Sequence, residues 1–307
     1  MTLVTGSGTG TGSGSGPGPS GLVVVDKEAG WTSHDVVARC RRIFGQRRVG
    51  HAGTLDPDAT GVLLVGLGRA TRLLRFLTAL PKTYEGEVVL GTATSTLDAS
   101  GEVTGTWDMG EVTLAQARAA AESLTGDIEQ VPPMVSALKV GGRRLHALAR
   151  EGIEVERDAR PVSVYRYDVH PTTSPGVLRI EVECSSGTYV RVLAADLGIA
   201  LGGGAHLRNL RRTSIGSFTV DDARQVDELT PAVVLTPAQA LRDLDQVVVS
   251  TEVEKLVGRG LALDRVPLGV GGDGPWGLVD REHRLLAVYE PTDTDRIRPA
   301  VVLAGAG

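Results

Sequence analysis

The sequence has little cysteine and no long apolar run. Its 307 residues include two cysteines, Cys40 and Cys184, without the CxxC spacing of a redox motif and too few for a disulfide framework. No stretch approaches the roughly 18 to 20 consecutive apolar residues of a membrane-spanning helix. The N-terminus lacks a basic segment followed by an apolar core, so no secretory signal is predicted. We therefore expect a cytoplasmic protein with two buried thiols and no membrane partner.

Motifs for metal binding and for hydrolysis are missing as well. The histidines show neither the His-Glu-x-x-His pattern nor a His/Cys cluster at zinc spacing, and the paired cysteines of zinc deaminases are absent. No Gly-x-Ser-x-Gly elbow follows a predicted strand, which argues against a Ser/His/Asp hydrolase. The sequence thus predicts no metal site.

Positive charge is in the minority, since the formal net charge is −5, and aromatic residues make up only 4% of the chain. The cations are nevertheless concentrated in three stretches, at residues 39–48, 139–160 and 208–212. Because a phosphate responds to the local field and not to the total charge, these stretches are suited to a nucleic-acid partner. The negative total does not exclude RNA binding.

The first twenty residues consist almost entirely of Gly, Ser, Thr and Pro. Such a composition has little apolar surface to offset the entropy of ordering, so residues 1–20 are predicted to be a disordered tail. Its glycine-rich run superficially resembles a phosphate-binding loop. No strand precedes that run and no helix follows it, which disfavours dinucleotide binding.

Apolar periodicity places strands and helices along the rest of the chain. Strands are predicted at residues 22–25, 83–90 and 177–184. An apolar stripe predicts a helix after the cap at Thr32, and the capping box at Thr113 opens a second helix that ends at residue 124. A third helix is predicted over residues 188–197, closed by Gly198.

Three further segments differ in character. Residues 132–160 combine Pro-Pro, Gly-Gly and many cations, which predicts a basic insertion that leaves the core and contains a short helix near residues 145–149. Residues 221–245 have a mostly helical pattern. The last sixty residues contain short β-like runs after a small capped helix at residues 251–257, and they predict a separate small β-rich domain, residues 246–307.

A polar loop from Gly50 to Gly61 contains the first candidate for chemistry. Asp56 is followed by Pro57, and a residue before proline is pushed toward extended geometry, so the carboxylate is predicted to be presented by a rigid turn. His51 lies five residues before Asp56. The same composition is also that of an ordinary turn, and the loop alone does not decide between the two interpretations.

Two other stretches contain residues that could act with this carboxylate. Tyr84 begins a predicted strand, where it could equally be an ordinary half-buried sheet residue. Tyr189 and Arg191 lie at a turn before a predicted helix. Arg191 could be a solvated surface cation, or it could pair with a buried carboxylate and keep that group ionised, as a nucleophilic Asp would require.

Several separated motifs together resemble one family. They occur in one order over roughly residues 21–245: Leu-Val-Val-Val-Asp-Lys ending at Lys27, Gly-His-Ala-Gly-Thr-Leu-Asp-Pro around Asp56, Lys-Thr-Tyr ending at Tyr84, Ser-Ala-Leu-Lys from Ser136, Cys-Ser-Ser-Gly-Thr-Tyr-Val-Arg ending at Arg191, and Gly-Ala-His ending at His206. This combination is similar to the bacterial tRNA pseudouridine-55 synthases of the TruB type. The last sixty residues resemble the small PUA-like RNA-binding domain of such proteins.

The resemblance implies a function and a role for several residues. Asp56 would be the nucleophile that attacks the target uridine of the tRNA T-stem-loop, and Arg191 would pair with Asp56. Tyr84 would stack on the uracil and act on the sugar. The remaining residues that the resemblance assigns to substrate binding are His51, Tyr189, Leu210 and Lys27. The reaction is redox-neutral with a protein nucleophile, so the resemblance implies no metal, nucleotide or organic cofactor and no obligate protein partner.

The resemblance also implies a fold and leaves two rivals. We expect an α+β catalytic domain over residues 21–245, with a mixed, largely antiparallel sheet flanked by helices and a basic insertion near residues 133–160. This chain departs from the family pattern at Glu28, where proline is usual, and at Ser186, where lysine is common. The rivals are a pseudouridine synthase for another RNA and a non-enzymatic RNA-folding module.

Overall fold

The structure is a computed structural model that describes residues 18–136, 138–140, 142–145, 148, 151–153 and 155–303. The predicted disordered tail therefore lies outside the described residues except for residues 18–20. Most of the short helix predicted near residues 145–149 also lies outside them. The side chains of Lys139, Arg144 and Arg150, three of the cations of the predicted basic insertion, are likewise not described.

The chain contains both helices and strands, in the arrangement of an α+β protein. In the described residues, the helices are α1 (Ser33–Ile43), α2 (Leu74–Ala79), α3 (Leu114–Ser123), α4 (Val190–Ala200) and α5 (Thr251–Gly258). The strands are β1 (Gly21–Lys27), β2 (Val49–Ala52), β3 (Thr60–Leu67), β4 (Lys82–Leu90), β5 (Thr92–Thr94), β6 (Val103–Thr106), β7 (Gly126–Gln130), β8 (Lys139–Val140), β9 (Arg143–Arg144), β10 (Arg160–Pro171), β11 (Val177–Cys184), β12 (Ala205–Ile215), β13 (Phe218–Thr219), β14 (Gln246–Val248), β15 (Leu263–Asp264), β16 (Trp276–Val279), β17 (Leu285–Pro291) and β18 (Arg296–Val302).

The larger sheet is mixed and largely antiparallel, as predicted. Its order is β1-β3-β12-β4-β11-β10-β7, with β2 on β3 and β13 on β12. The β3–β12 pairing is parallel, and the other strand pairs of this sheet are antiparallel. The parallel pairing brings β12 directly against the end of the loop that contains Asp56, because Arg211 and Arg212 pair with Thr60 and Gly61.

Helices cover this sheet in two places. Val36, Val37 and Cys40 of α1 are buried against alternate residues of β1 and β3, which confirms the predicted apolar stripe. Its cap is the predicted Thr32, whose side chain accepts from the Asp35 N–H. The helices α3 and α4 pack on the other part of the sheet, where Tyr84 and Leu193 join one core with β10 and β11.

The C-terminal sheet, β14-β16-β17-β18-β15, packs directly on the larger sheet. Leu22 and Leu64 of the larger sheet share one apolar core with Val288 and Val301 of the C-terminal sheet. Polar contacts reinforce this packing, since Arg72 Nη1 donates to the Val302 carbonyl at 2.7 Å and Arg75 forms an ion pair with Glu290. The predicted β-rich C-terminal region is therefore confirmed, and its core is continuous with that of the larger sheet.

Two helix predictions were wrong. Residues 221–245 contain only short 3₁₀ turns in place of a mostly helical segment. This backbone pairs instead with the free edge of β1, where Leu22 and Leu235 exchange two hydrogen bonds and Asp26 N–H donates to the Arg224 carbonyl. The tertiary pairing outweighs local helix propensity.

The third predicted helix has different ends. Tyr189 is the N-cap of α4, so the helix begins at Val190, and it continues past Gly198 to Ala200. Gly198 lies inside the helix. A glycine is required at this position because a Cβ would lie 2.5 Å from the Ala205 nitrogen. This glycine allows the start of β12 to pack closely on the helix, and it does not end the helix.

Candidate active site

The Asp56 loop connects β2 to β3, and its geometry is that of a rigid turn, as predicted. Pro57 and Asp58 form the turn, and the Ala59 N–H donates to the Asp56 carbonyl at 3.2 Å. Leu55, the residue before Asp56, is buried, and its backbone exchanges hydrogen bonds with the Ser33 hydroxyl at the start of α1. The loop is thus fixed from below, and the Asp56 side chain keeps 46% of its surface exposed.

Arg191 approaches Asp56 from the first turn of α4. Its Nη2 lies 3.2 Å from Asp56 Oδ2, although the two residues are far apart in sequence. The Arg191 side chain is only 5% exposed, and its Nη2 also donates to the Val135 carbonyl at 2.8 Å. Arg191 is therefore a buried cation facing an accessible carboxylate, and not a solvated surface residue.

Asp98 is a second carboxylate at this guanidinium, and the sequence analysis missed it. Its Oδ2 lies 3.4 Å from Arg191 Nη1, so Arg191 bridges Asp56 and Asp98. Asp98 follows Leu97, which has a positive φ of 64°, and a β-bridge to Leu207 holds it in place. In the sequence, Asp98 lies in a Thr/Ser/Asp segment typical of a turn, so no local signal distinguishes it.

The surroundings shift the pKa of Asp56 in opposite directions. Partial burial raises the pKa of this carboxyl above its usual value, and the Arg191 guanidinium counteracts that increase. The neighbouring Asp98 carboxylate raises the pKa further, since two like charges disfavour each other. Arg191 therefore favours the ionised carboxylate of Asp56 within this pair of acids.

Tyr84 and Leu210 belong to the apolar floor beside this carboxylate. Tyr84 lies on β4 with 8% exposure, in the same core as Leu55, and Leu210 of β12 packs against that core. Burial raises the pKa of the Tyr84 hydroxyl, while the Arg212 guanidinium opposes this increase. The phenol is thus neutral at pH 7 and held next to the Asp56 loop.

His51 lies on β2, five residues before Asp56. Its ring makes an edge-to-face contact with that of His34 on α1, with centroids 5.5 Å apart. Burial, together with the positive charges near it, lowers the pKa of His51 to about 4. The imidazole is therefore neutral at physiological pH, so it can offer a hydrogen bond or an apolar ring but not a positive charge.

Tyr189 is half-buried at the N-cap of α4, two residues before Arg191. Gln130, at the end of β7, holds this junction, because its side-chain amide accepts from the Tyr189 N–H at 2.9 Å and donates to the Tyr189 carbonyl at 3.3 Å. Gln130 is 2% exposed, and the sequence analysis missed it. No motif identifies Gln130, since its role follows from a contact between the end of β7 and the start of α4, which are distant in sequence.

Lys27 is not on the open side of the site, in contrast to its predicted contact with substrate. It is fully buried at the end of β1. Its Nζ donates to the carbonyls of Glu28, Trp31 and Pro57 at 2.9, 2.7 and 2.9 Å, which uses all three N–H groups. Burial lowers the pKa of Lys27 to about 8. The ammonium group supports the Asp56 loop from beneath.

Replacing Lys27 should destabilise the protein. In Lys27→Met, three backbone carbonyls lose the ammonium donor and, among the described residues, only that of Pro57 keeps another, from the Gly30 N–H. We expect a loss of about 3 kcal/mol in the free energy of unfolding. Urea unfolding would measure this loss. Lys255→Met is the matched control, because Lys255 is exposed on α5 and should change stability by less than about 0.5 kcal/mol. Equal stability of the two variants would contradict this assignment.

The cations at residues 208–212 are not a free basic patch, which corrects the prediction for this stretch. Arg208 pairs with Glu87 at 2.7 Å, and Arg211 pairs with Asp26 at 2.8 Å. Arg212 is 1% exposed and donates to backbone carbonyls. Intramolecular partners therefore neutralise or bury these three cations, whereas Arg42 and Arg47 are exposed and form no ion pair within the described part of the chain.

Neither a metal cluster nor a membrane-spanning helix occurs among the described residues. No group of three or more His, Cys, Asp or Glu side chains among them is placed to hold a metal ion. None of the helices in the described ranges is long and apolar enough to cross a membrane.

The fold is similar to that of chains in two solved complexes. A structure of an H/ACA RNP bound to a substrate RNA containing 2'-deoxyuridine matches with a TM-score of 0.70 at 22% identity, covering 93% of this chain and 85% of that chain. The crystal structure of a Cbf5-Nop10-Gar1 complex also gives a TM-score of 0.70, at 25% identity, covering 92% of this chain and 83% of that chain.

Family models match most of the chain. Residues 41–190 match the TruB family pseudouridylate synthase (N terminal domain), and residues 191–254 match the tRNA pseudouridylate synthase B C-terminal domain. The fold, with an accessible aspartate facing a buried arginine, is that of a pseudouridine synthase. The chain belongs to the TruB family.

Two curated relatives match this chain over most of its length. The chain is 53% identical over 231 residues to the tRNA pseudouridine synthase B of Arthrobacter sp., covering 73% of this chain and 76% of that protein. It is 46% identical over 297 residues to the protein of the same name from Mycobacterium tuberculosis, covering 93% and 96%. The family resemblance in the sequence is thereby confirmed.

Proposed function

We propose that this protein isomerises a uridine in the tRNA T-loop, at position 55, to pseudouridine, with Asp56 as the nucleophile. The observation that carries the proposal is the Asp56–Arg191 contact at 3.2 Å, with the carboxylate 46% exposed and the guanidinium buried. A nucleophilic carboxylate must be accessible and ionised, and a buried cation favours the ionised form. The tRNA substrate is supported by the names of the relatives.

In the proposed reaction, Asp56 attacks the target nucleotide at the base or at the sugar. This attack forms a transient bond to the Asp56 carboxylate, and the bond between N1 of uracil and C1' of ribose breaks. The base rotates, C5 bonds to C1', and the bond to Asp56 breaks, which restores the carboxylate. C5 then loses its proton, and N1 gains one. The reaction is redox-neutral, so the proposal includes no organic cofactor, nucleotide or metal.

Tyr84, Tyr189, Leu210 and His51 are proposed to hold the target nucleotide outside the RNA stack. Extrusion of a base costs a few kcal/mol, and stacking on an aromatic side chain returns roughly 1 to 3 kcal/mol per base. Tyr84 and Leu210 adjoin the core that contains Leu55, which places an aromatic ring and an apolar side chain next to Asp56. The neutral imidazole of His51 would line the nucleotide site without adding a positive charge next to Asp56.

The assay that tests the proposal compares two kinds of RNA as substrates of the wild-type protein. Pseudouridine would be mapped after incubation with an unmodified T-stem-loop and, separately, with ribosomal RNA fragments. We expect modification of the T-loop uridine only. Modification confined to ribosomal fragments would favour the rival that acts on another RNA, and binding without modification of any RNA would favour a folding module.

The exposed arginines of α1 and the segment after it should contribute most to RNA binding. Arg42→Gln and Arg47→Gln are each expected to weaken binding and to reduce the slope of log K against log salt by about one phosphate contact. Arg208→Gln is the matched variant, since Arg208 already pairs with Glu87 and should leave the slope unchanged. Salt titrations of T-stem-loop binding measure this difference, and equal slopes for all three variants would contradict it.

Residues 21–245 are proposed as the catalytic unit and residues 246–307 as a PUA-like RNA-binding domain. The enzyme is proposed to act in the cytoplasm on tRNA without an obligate protein partner. The continuity of the apolar core through Leu22 and Val288 supports joint folding of the two units.

A further inference from the structure

Arg212 connects the two ends of the Asp56 loop. Its Nη2 donates to the Gly53 carbonyl at 3.1 Å, three residues before Asp56, and its Nε donates to the Val62 carbonyl at 2.7 Å, in the strand that follows the loop. The side chain is 1% exposed. A single planar guanidinium can make both bonds with fixed geometry, so Arg212 sets the separation of the two ends.

The backbone at both ends of the loop is shaped around Arg212. Gly53 has a φ of +78°, and a Cβ there would lie 3.4 Å from Arg212 Nη1. Gly61 has a φ of +99°, and a Cβ there would lie 2.1 Å from the Arg212 carbonyl oxygen. Gly61 therefore gives room to the backbone of Arg212, and both glycines have φ angles that other residues adopt only under strain.

The same side chain also contacts Tyr84. Its guanidinium carbon lies 6.0 Å from the centre of the Tyr84 ring, and the two residues are paired in register between β12 and β4. Arg212 thus touches the backbone that presents Asp56 and the ring proposed to stack on the uracil. Its substitution would move both groups together.

We propose that Arg212 is a positioning residue for the reaction, which holds the Asp56 carboxylate and the Tyr84 ring in their relative places through Gly53, Val62 and the phenol. This inference rests on the proposed function. It differs from the prediction that residues 208–212 bind phosphate, because a residue buried to this extent does not reach RNA. A positioning role predicts a loss of rate at saturating RNA and an unchanged affinity.

The test compares two substitutions that disturb the same contact from opposite sides. Arg212→Lys keeps the charge but loses the fork that reaches two carbonyls. Gly53→Ala keeps Arg212 but strains the backbone whose carbonyl accepts from it, because alanine rarely adopts a φ of +78°. Arg242→Lys is the matched control, since Arg242 lies 4.0 Å over the Phe218 ring and pairs with Asp222 away from Asp56. Folding would be checked by thermal unfolding, and single-turnover rates and dissociation constants would be measured with unmodified tRNA.

We expect both substitutions to lower the single-turnover rate about 100-fold, with less than about a threefold change in the dissociation constant, while Arg242→Lys keeps the wild-type rate. Wild-type rates in Gly53→Ala and in folded Arg212→Lys would overturn the inference, as would a loss explained by affinity. If Arg212→Lys does not fold, the rate of Gly53→Ala decides. Failure of the proposed function is separate, because it would appear as a wild-type protein that modifies no tRNA.

Discussion

Asp56→Asn is expected to abolish pseudouridine formation and to leave tRNA binding intact. The substitution keeps the size of the side chain and removes the nucleophilic carboxylate, so the rate should fall by about 10⁴-fold or more. The Asp56 side chain makes its ion pair with Arg191 and is 46% exposed, so the loss of its charge should not disturb the core. Pseudouridine mapping on an unmodified T-stem-loop, with binding measured on the same RNA, provides both readouts.

The control for this experiment is Asp58→Asn. Asp58 lies in the turn two residues after Asp56, is exposed, and forms no ion pair in the part of the chain that the structure describes. It should keep a rate within a few-fold of wild type. Residual isomerisation at the wild-type rate in Asp56→Asn would refute the nucleophile, and a parallel loss of RNA binding would show that the carboxylate acts before the chemistry.

Arg191→Met is expected to reduce the rate at pH 7 by about 100-fold or more and to move the acidic limb of the pH profile upward. Burial and Asp98 both raise the pKa of Asp56, and Arg191 is the largest of the opposing influences, ahead of Lys27. Because the reaction requires the ionised carboxylate, activity is lost as the pH falls through the pKa of Asp56. Without Arg191 this loss should occur at a higher pH, and raising the pH should recover part of the rate.

Single-turnover rates between pH 5 and pH 9 would measure this shift. Arg191→Lys is the matched variant, because it keeps a charge near Asp56 but cannot bridge Asp56 and Asp98 with a planar fork. Its acidic limb should lie between those of the wild type and Arg191→Met. If the profiles of Arg191→Met and the wild type differ only by a constant factor, Arg191 does not control the ionisation of Asp56.

The sequence predicts local elements and the loop of Asp56 well, because both depend on short-range rules. The Thr32 cap, the apolar stripe of α1 and the turn at Pro57 are encoded within a few residues of each other. The family motifs also point to Arg191, although only the fold brings it to Asp56. The long antiparallel pairing of β4 and β11 supplies that proximity by fixing where α4 begins.

The errors arise where tertiary contacts decide. Asp98 resembles turn residues in sequence, and it becomes part of the site only because its loop crosses to Leu207. Arg208 and Arg211 resemble a phosphate-binding patch, and the carboxylates that neutralise them come from β4 and β1. A count of cations along the chain does not include these partners. The charge pattern therefore overestimated the number of cations at residues 208–212 that are free to bind phosphate.

The packing of the C-terminal sheet has a consequence for the energetics of recognition. A domain on a flexible tether loses orientational freedom each time it meets a ligand, and that loss weakens the complex. Here Arg72 and the shared core of Leu64 and Val301 fix the two sheets together before any RNA arrives. The loss of freedom therefore occurs during folding, and an RNA that spans both sheets meets a surface that is already preorganised.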